Sequence, residues 1–237
     1  MKKFSQEFIR NVGLIGHGGA GKTSVAEALL YMFGSSDRLG RVGDSSSVMD
    51  YDPEEIKRGH SINASLAFYE SDKHKVNLLD TPGTSNFIAD TSACLRVVDG
   101  AVLVVGGDSG IQYFTEKTCQ WAFENSVRVV VLINKIDHEN LNISGVIETF
   151  KKKFKKTLAL MHMPLMDGEK IKGVVDLVDN VFHVYSEDGK SSKDTVPEGD
   201  KDLVDMARAE LIESIAECDE NLLEKYLEEG ELSRDEM

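Results

Sequence analysis

The 237-residue sequence predicts an α/β fold, a doubly wound, mostly parallel sheet with helices on both faces, followed by a small α/β unit. Three observations predict it. The β-branched runs Ala101-Val102-Leu103-Val104-Val105 and Arg128-Val129-Val130-Val131-Leu132-Ile133 read as strands buried on both faces, the pattern of a parallel sheet. Segments between such runs carry helical periodicity. A glycine-rich stretch separates the first apolar run, Val12-Gly13-Leu14-Ile15, from the first helix, as a strand feeding a helix through a tight loop requires.

Taken in order, the first helix begins near Lys22, with Val25, Ala26, Ala28, Leu29, Leu30 and Phe33 at helical spacing, and Gly34-Ser35-Ser36 stops it. Residues 35–60 are polar and aperiodic, so a long loop is expected there. Ile62 to Tyr69 and Lys75 to Leu79 read as two strands around the turn Glu70-Ser71-Asp72-Lys73. Helices are expected over 86–97, 112–126 and 140–157. Beyond residue 158 the pattern changes. Ile171–Leu177 and Val181–Tyr185 read as a hairpin around Val178-Asp179-Asn180, a loop runs from Ser186 to Lys201, and an acidic region of two helices follows. The expected division is 1–157 for the core and 158–237 for the second unit.

Composition narrows the function classes. Residues 1–150 carry 14 Lys and Arg against 19 Asp and Glu, and residues 151–237 carry 13 against 22, within a formal net charge of −14. Such a surface repels free DNA and bare RNA. The run Lys151-Lys152-Lys153-Phe154-Lys155-Lys156 reads as a solvated helix end rather than a nucleic-acid contact. The lysines at the amino terminus lack a following apolar run, and no stretch approaches the roughly 18 apolar residues of a membrane span. Cys94, Cys119 and Cys218 are odd in number and far apart, which suits free thiols. A cytoplasmic monomer without a membrane partner is expected.

Two motifs 110 residues apart carry the chemistry. Gly16-His17-Gly18-Gly19-Ala20-Gly21-Lys22-Thr23 fits the phosphate-binding loop G-x-x-x-x-G-K-[ST] of P-loop NTPases. Gly16, His17, Gly18, Gly19, Ala20, Gly21, Lys22, Thr23 and Ser24 are the candidate cradle, with backbone N–H groups and a helix N-terminus facing the anion. Lys22 is expected to bridge the β- and γ-phosphates, and the Thr23 hydroxyl to ligate Mg²⁺. Asn134-Lys135-Ile136-Asp137 fits a guanine-reading loop. A carboxylate at Asp137 accepts hydrogen bonds from both N1–H and the exocyclic amine of guanine. Adenine offers no such pair, and a buried acceptor left unpaired costs about 1–3 kcal/mol. Asn134 is expected to tie the base loop to the phosphate loop, with the Lys135 stem stacked along the guanine.

Between them, Asp80-Thr81-Pro82-Gly83 follows an apolar strand, where an acid holding Mg²⁺ through water belongs, and the Gly83 N–H is placed to sense the γ-phosphate. Arg58-Gly59-His60-Ser61-Ile62 ends the long loop. A hydroxyl at Ser61 completes a Mg²⁺ shell only when the γ-phosphate is present, which makes the loop a switch. The metal candidates are thus Thr23, Ser61 and Asp80, and the ligands GTP or GDP with Mg²⁺.

At these residues the chain resembles the translational GTPases, and within them the N-terminal region of elongation factor G. Phe8-Ile9-Arg10-Asn11-Val12-Gly13 is similar to that family's lead-in, and Met49-Asp50-Tyr51 through Arg58-Gly59 to its first switch. Ile171-Lys172-Gly173-Val174-Val175-Asp176-Leu177-Val178 and Leu223-Glu224-Lys225-Tyr226-Leu227 are similar to its inserted subdomain. The resemblance covers essentially the whole chain and implies ribosome-linked GTP hydrolysis. It also locates departures. Thr84 stands where the family's Asp-Thr-Pro-Gly-His motif has the water-positioning histidine. Gly19 replaces a phosphate-loop Asp, His60 an Ile, and Ser61 a Thr that keeps the hydroxyl. The candidate catalytic set is Lys22, Thr84 and His60, the last either a solvent-facing loop histidine or an imidazole supplied by the other switch. Binding groups are retained while a hydrolysis group is changed, so a divergent paralogue with weak or altered hydrolysis is implied. A GTP-gated switch without turnover, or a piece that binds no nucleotide, are the alternatives. The family's Ser-Ala loop, with a further strand and helix, follows the insert. None lies after Asp137 here, so a sheet short of one strand and a base pocket short of one wall are expected of this stretch.

Overall fold

Strands β1 (Ile9–Ile15), β2 (Ser65–Glu70), β3 (Lys75–Asp80), β4 (Gly100–Gly106) and β5 (Arg128–Asn134) form one sheet in the order β2-β3-β1-β4-β5. The computed structural model describes residues 3–138, 141–156, 158–168, 170–186 and 190–237. β1 pairs in parallel with β3 and β4, β4 with β5, and only β2 runs antiparallel, against β3. The four parallel strands therefore end along one edge of the sheet. Because β1 lies between β3 and β4, the strand order reverses beside β1, the position where ligands bind outside the carboxyl ends of open α/β sheets.

Helices α1 (Lys22–Met32), α2 (Pro53–Arg58), α3 (Ile88–Cys94) and α4 (Tyr113–Glu124) connect these strands, and α5 (Ile143–Phe154) follows β5. Leu14 and Leu78 of the sheet pack on Ala26 and Leu30 of α1 and on Met49, all nearly or fully buried. Each such leucine contributes about 1.5–3 kcal/mol of transfer free energy. That core fixes α1, and hence Lys22 and Thr23 on its first turn, against the ends of β1 and β3.

The structure corrects the expected elements at several points. The segment 35–60 is not all loop: Asp52 caps α2 by accepting the Glu54 N–H, Pro53 occupies its first turn, and Gly59 ends it at φ 68°. β2 begins at Ser65, not Ile62, because the Ile62 and Asn63 N–H groups donate to Glu55 and that of Ala64 to Asp90, leaving none for a ladder. The segment 86–97 holds a short 3₁₀ turn (Ser85–Phe87) before α3, which ends at Cys94. α5 is shorter than the 140–157 expected, and residues 140 and 157 lie outside the described residues. β5 is an edge strand with Val130 59% exposed, so its apolar run does not mean burial on both faces.

The chain divides into two compact units, residues 1–149 and 150–237. In the second, β6 (His162–Asp167), β7 (Lys170–Asp176), β8 (Val181–Tyr185) and β9 (Ser191–Asp194) form an antiparallel sheet in sequence order. The expected hairpin is its centre. β6 is an addition to the expected strands; Pro164 sits in it without harm because β6 is an edge strand. β9 falls where a loop is expected, since its four residues are all exposed and carry no apolar pattern. Leu165, Val175, Leu177 and Phe182 pack on Val204 and Leu211 of α6 (Lys201–Ala216). α7 (Glu220–Glu229) starts at the Asp219 cap and ends at Gly230, φ 75°. Cys94, Cys119 and Cys218 are free, and burial pushes the Cys119 thiol up to about 12.

Candidate functional site

The loops after β1, β3 and β5 meet. Gly21 takes φ 96° and lies so close to the Asn134 side chain that a Cβ there would overlap its Nδ2. Asn134 in turn donates through Nδ2 to the Ala20 carbonyl at 2.9 Å. The Gly18 N–H donates to the Gly83 carbonyl at 2.8 Å, and a Cβ on Gly83 would stand 2.5 Å from both Gly18 N and Lys22 Nζ. The glycines at 21 and 83 are therefore the places where the phosphate loop is crossed by the other two. Thr81 fastens the end of β3 by donating to the Leu14 carbonyl at 2.7 Å.

Lys22 is 6% exposed, and its ammonium donates to the carbonyls of Gly16 and His17, each at 3.2 Å. Burial lowers its pKa, opposed by the charges of Asp80 and Asp50. The Thr23 hydroxyl donates to Asp80 Oδ2 at 2.6 Å and lies 3.3 Å from the Ser61 hydroxyl, which donates to Asp50 Oδ1 at 3.0 Å. The first turn of α1, the segment before β2 and the end of β3 are thus joined by one chain of short polar side chains. Burial pushes the Asp80 carboxyl up to about 6, against the pull of Lys22 and the Thr23 hydroxyl. Burial likewise raises Asp50, opposed by the Ser61 hydrogen bond.

Three carboxylates outside the sequence candidates hold the segment from Ser47 to Asn63. Fully buried Glu27 of α1 accepts through Oε1 from the Ser47 hydroxyl and the Val48 and Met49 N–H groups at 2.6–3.0 Å. Glu55 accepts from Ile62 and Asn63, immediately after Ser61. Asp50 accepts from Ser61 itself. A helix-face Glu among Ala26, Ala28 and Leu30 is the available signal for Glu27.

Among the described residues, the buried side-chain polar atoms without a hydrogen-bond partner are His17 Nδ1, Glu27 Oε2, Asp50 Oδ2, Asp80 Oδ1 and Thr84 Oγ1. All belong to the phosphate loop, α1 or the two switch segments. Orphaned buried polar groups are uncommon and call for a ligand, ion or water. The set of hydroxyls and carboxylates at Thr23, Ser61 and Asp80, with Asp80 Oδ1 unspent, fits a hard divalent cation. No cluster of three or more His, Cys, Asp or Glu that could hold a metal ion is found among the described residues.

His60 is half-buried, its Nδ1 3.2 Å from the Arg58 carbonyl. Gly19 and Ser24 are exposed. At the base end, Lys135 adopts φ 57° and places its ammonium 3.7 Å from Asp108 Oδ2, which lies 3.7 Å from His138 Nδ1 as well. Asp137 is exposed. Asp108, just past the end of β4, is not among the sequence candidates.

The family of elongation factor Tu GTP-binding domains matches residues 7–197. A crystal structure of a protein from Thermus thermophilus superposes with a TM-score of 0.87 at 32% identity, over 95% of this chain and 34% of that one. The chain spans about a third of that protein's length. No helix among the described residues is long and apolar enough to cross a membrane. These matches, over a fold whose loops after β1, β3 and β5 converge on one sheet edge, show that the chain belongs to the translational GTPases, as a guanine-nucleotide-binding domain of the elongation factor Tu type.

Proposed function

We propose that this chain is the GTP-binding part of an elongation-factor-G-like, divergent translation factor, with its GTP-binding core in residues 1–157 and part of an insert in 158–237. In the whole protein, a cytoplasmic monomer, GTP closes both switch segments for ribosome docking, and hydrolysis relaxes them. The observation that supports this reading is the hydrogen-bond chain Asp80–Thr23–Ser61–Asp50, which lets one bound group be felt by both switches.

Lys22, buried and already turned along the loop, neutralises the β- and γ-phosphates. Thr23, Ser61 and Asp80 would hold Mg²⁺, which supplies charge neutralisation to the phosphates. Ser61 belongs to a segment anchored by Glu27, Asp50 and Glu55, so losing its ligand leaves the switch attached at its flanks and free at its tip. Asn134 holds the base loop to the phosphate loop, and Asp137 selects guanine. Positioning and electrostatics supply most phosphoryl-transfer catalysis, so hydrolysis survives without a histidine at position 84.

Phosphate release from GTP, measured with and without ribosomes, tests the reading. Release stimulated by ribosomes is expected. Tight GTP binding with no stimulated release would make the protein a GTP-gated switch, and absence of heat on titration with GDP and GTP would leave a piece with no nucleotide function.

A further inference from the structure

The antiparallel ladder of β2 and β3 stops where Ser65 faces Asp80. The stretch before β2, which carries Ser61, and the loop after β3, which carries Gly83, therefore leave the sheet from one end. Just past the ladder, the Ala64 N–H donates to Asp90 Oδ2 at 3.2 Å, and Asp90 lies in the first turn of α3, the helix that follows this loop. The next residue, Thr91, is fully buried and donates its hydroxyl to the Pro82 carbonyl at 3.1 Å. Two neighbouring residues of one short helix thus hold both segments that border the phosphate end of the site. Asp90 takes the N–H three residues after Ser61, and Thr91 takes the carbonyl immediately before Gly83. Glu55 holds the same stretch differently. It accepts from the Ile62 and Asn63 N–H groups at 2.8 and 2.9 Å, but it belongs to α2 in that same stretch, so it closes the stretch on itself. Asp90 comes from beyond β3, so a load on it passes to α3 and through Thr91 to the loop that carries Gly83. That loop touches the phosphate loop, since the Gly83 carbonyl accepts the Gly18 N–H at 2.8 Å.

We propose that Asp90 is a positioning residue for Ser61: with Thr91 it makes α3 a clip that ties the placement of the Ser61 stretch to the placement of Gly83. The inference rests on the GTPase reading above, in which Ser61 reaches Mg²⁺ and the Gly83 N–H senses the γ-phosphate. A γ-phosphate that draws in Gly83 moves Pro82, and Thr91 carries the displacement along α3 to Asp90 and so to Ala64. Linkage makes the effect reciprocal: a Ser61 stretch released at Ala64 leaves Gly83 less well placed, and affinity for GTP falls. GDP offers neither contact, so its affinity does not draw on the clip. A carboxylate accepting a backbone N–H is stronger than a neutral pair, yet it opens and recloses while β2 and β3 stay paired.

The test is titration calorimetry of the whole chain, in Mg²⁺, with GDP and with a GTP analogue whose β–γ bridge is an imido group and is not turned over. Asp90→Ala is expected to weaken the analogue about 5- to 20-fold while GDP affinity stays within about twofold. Asp90→Asn, which keeps an acceptor oxygen at the same place, recovers most of that loss. Thr91→Val keeps the shape, removes the hydroxyl and shifts the analogue-to-GDP ratio in the same direction. Adding Asp90→Ala to it costs little more, because a clip open at one end transmits nothing. An unchanged ratio in Asp90→Ala, equal weakening of both nucleotides, or additive losses in the double variant overturns the clip while leaving the nucleotide site intact. If Asp90→Ala does not fold, Thr91→Val decides alone, and a parental ratio there overturns the clip. A parent that binds no guanine nucleotide overturns the GTPase reading together with the clip.

Discussion

The two ends of the nucleotide site are built on different physical terms. At the phosphate end Lys22, Thr23, Asp50 and Asp80 are all under a tenth exposed, and the polar atoms without partners gather around them. At the base end Asp137 is exposed, and Lys135 is 31% exposed against Asp108 at 25%. Preorganisation in a low-dielectric place makes each contact strong and each missing partner expensive. An open end reads its ligand with contacts that water weakens. On the proposed function, the phosphate half carries affinity and switching, and the base half carries selection.

The sharpest way to break that comparison is Lys22→Met, which keeps the apolar stem and removes the charge. An uncompensated buried charge costs about 3–5 kcal/mol, so GDP and GTP affinities are expected to fall on the order of 10³-fold by titration calorimetry, GTP at least as much as GDP. A loss below tenfold would mean that the buried ammonium is not the main phosphate anchor.

Asp80 gives a pH signature of the same half. Its carboxyl stands at about 6 in the folded chain, against about 3.9 for an unperturbed Asp. Between those values the folded state binds more protons than the unfolded one, so stability falls as pH rises through this window and then levels. Asp50, also raised, adds in the same direction, while the His17 imidazole, lowered by burial and Lys22, works against both below about 6.5. Glu236, held down to about 2 by its Lys225 and Ser233 partners, acts oppositely but only below about 4.5. Thermal melts of the nucleotide-free protein between pH 4.5 and 7 should therefore show a declining midpoint, flattened in Asp80→Asn. An unchanged slope in that variant would remove Asp80 from the account.

What is legible in the sequence follows the same division. Gly21, Lys22, Thr23, Asp80 and Asn134 are readable because fixed spacing expresses fixed geometry: a loop that must wrap an anion leaves little choice of residue. The parallel order is readable from β-branched runs, though that signal does not separate the central β4 from the edge strand β5. The carboxylates that hold the segment from Ser47 to Asn63 leave little trace, beyond a lone Glu27 on an apolar helix face. Glu27 and Glu55 accept from backbone N–H groups, and a backbone donor has no sequence signature. Helix α2 does carry its signals, with Asp52-Pro53 at its start and Gly59 at its end as ordinary cap and stop residues, but six residues are too few to show periodicity. β9, four exposed polar residues, is beyond reach of any hydrophobic pattern.

Asp137→Ala sharpens the other side. Losing an acceptor for two guanine donors removes about 1–3 kcal/mol, roughly 5- to 150-fold in GTP affinity, while affinity for ATP is untouched. Competition of GTP against ATP for the same chain reads this directly. A parallel loss for both nucleotides would mean that Asp137 shapes the loop instead of reading the base.

The smallest effect belongs to Asp108. Its carboxylate faces both Lys135 and His138 at 3.7 Å, beyond the length of a good hydrogen bond and within reach of water. Partly exposed pairs of this kind are worth about 0–1 kcal/mol and are screened by salt. Asp108→Ala should therefore change GDP affinity by no more than about fivefold, with the difference vanishing near 1 M salt, where the screening length is roughly 3 Å. The same titration on Lys22→Met should keep most of its deficit, because a buried charge is screened far less. If salt erases both deficits equally, the two ends are not built on different terms, and the phosphate loop is more open to water than the burial of Lys22 implies.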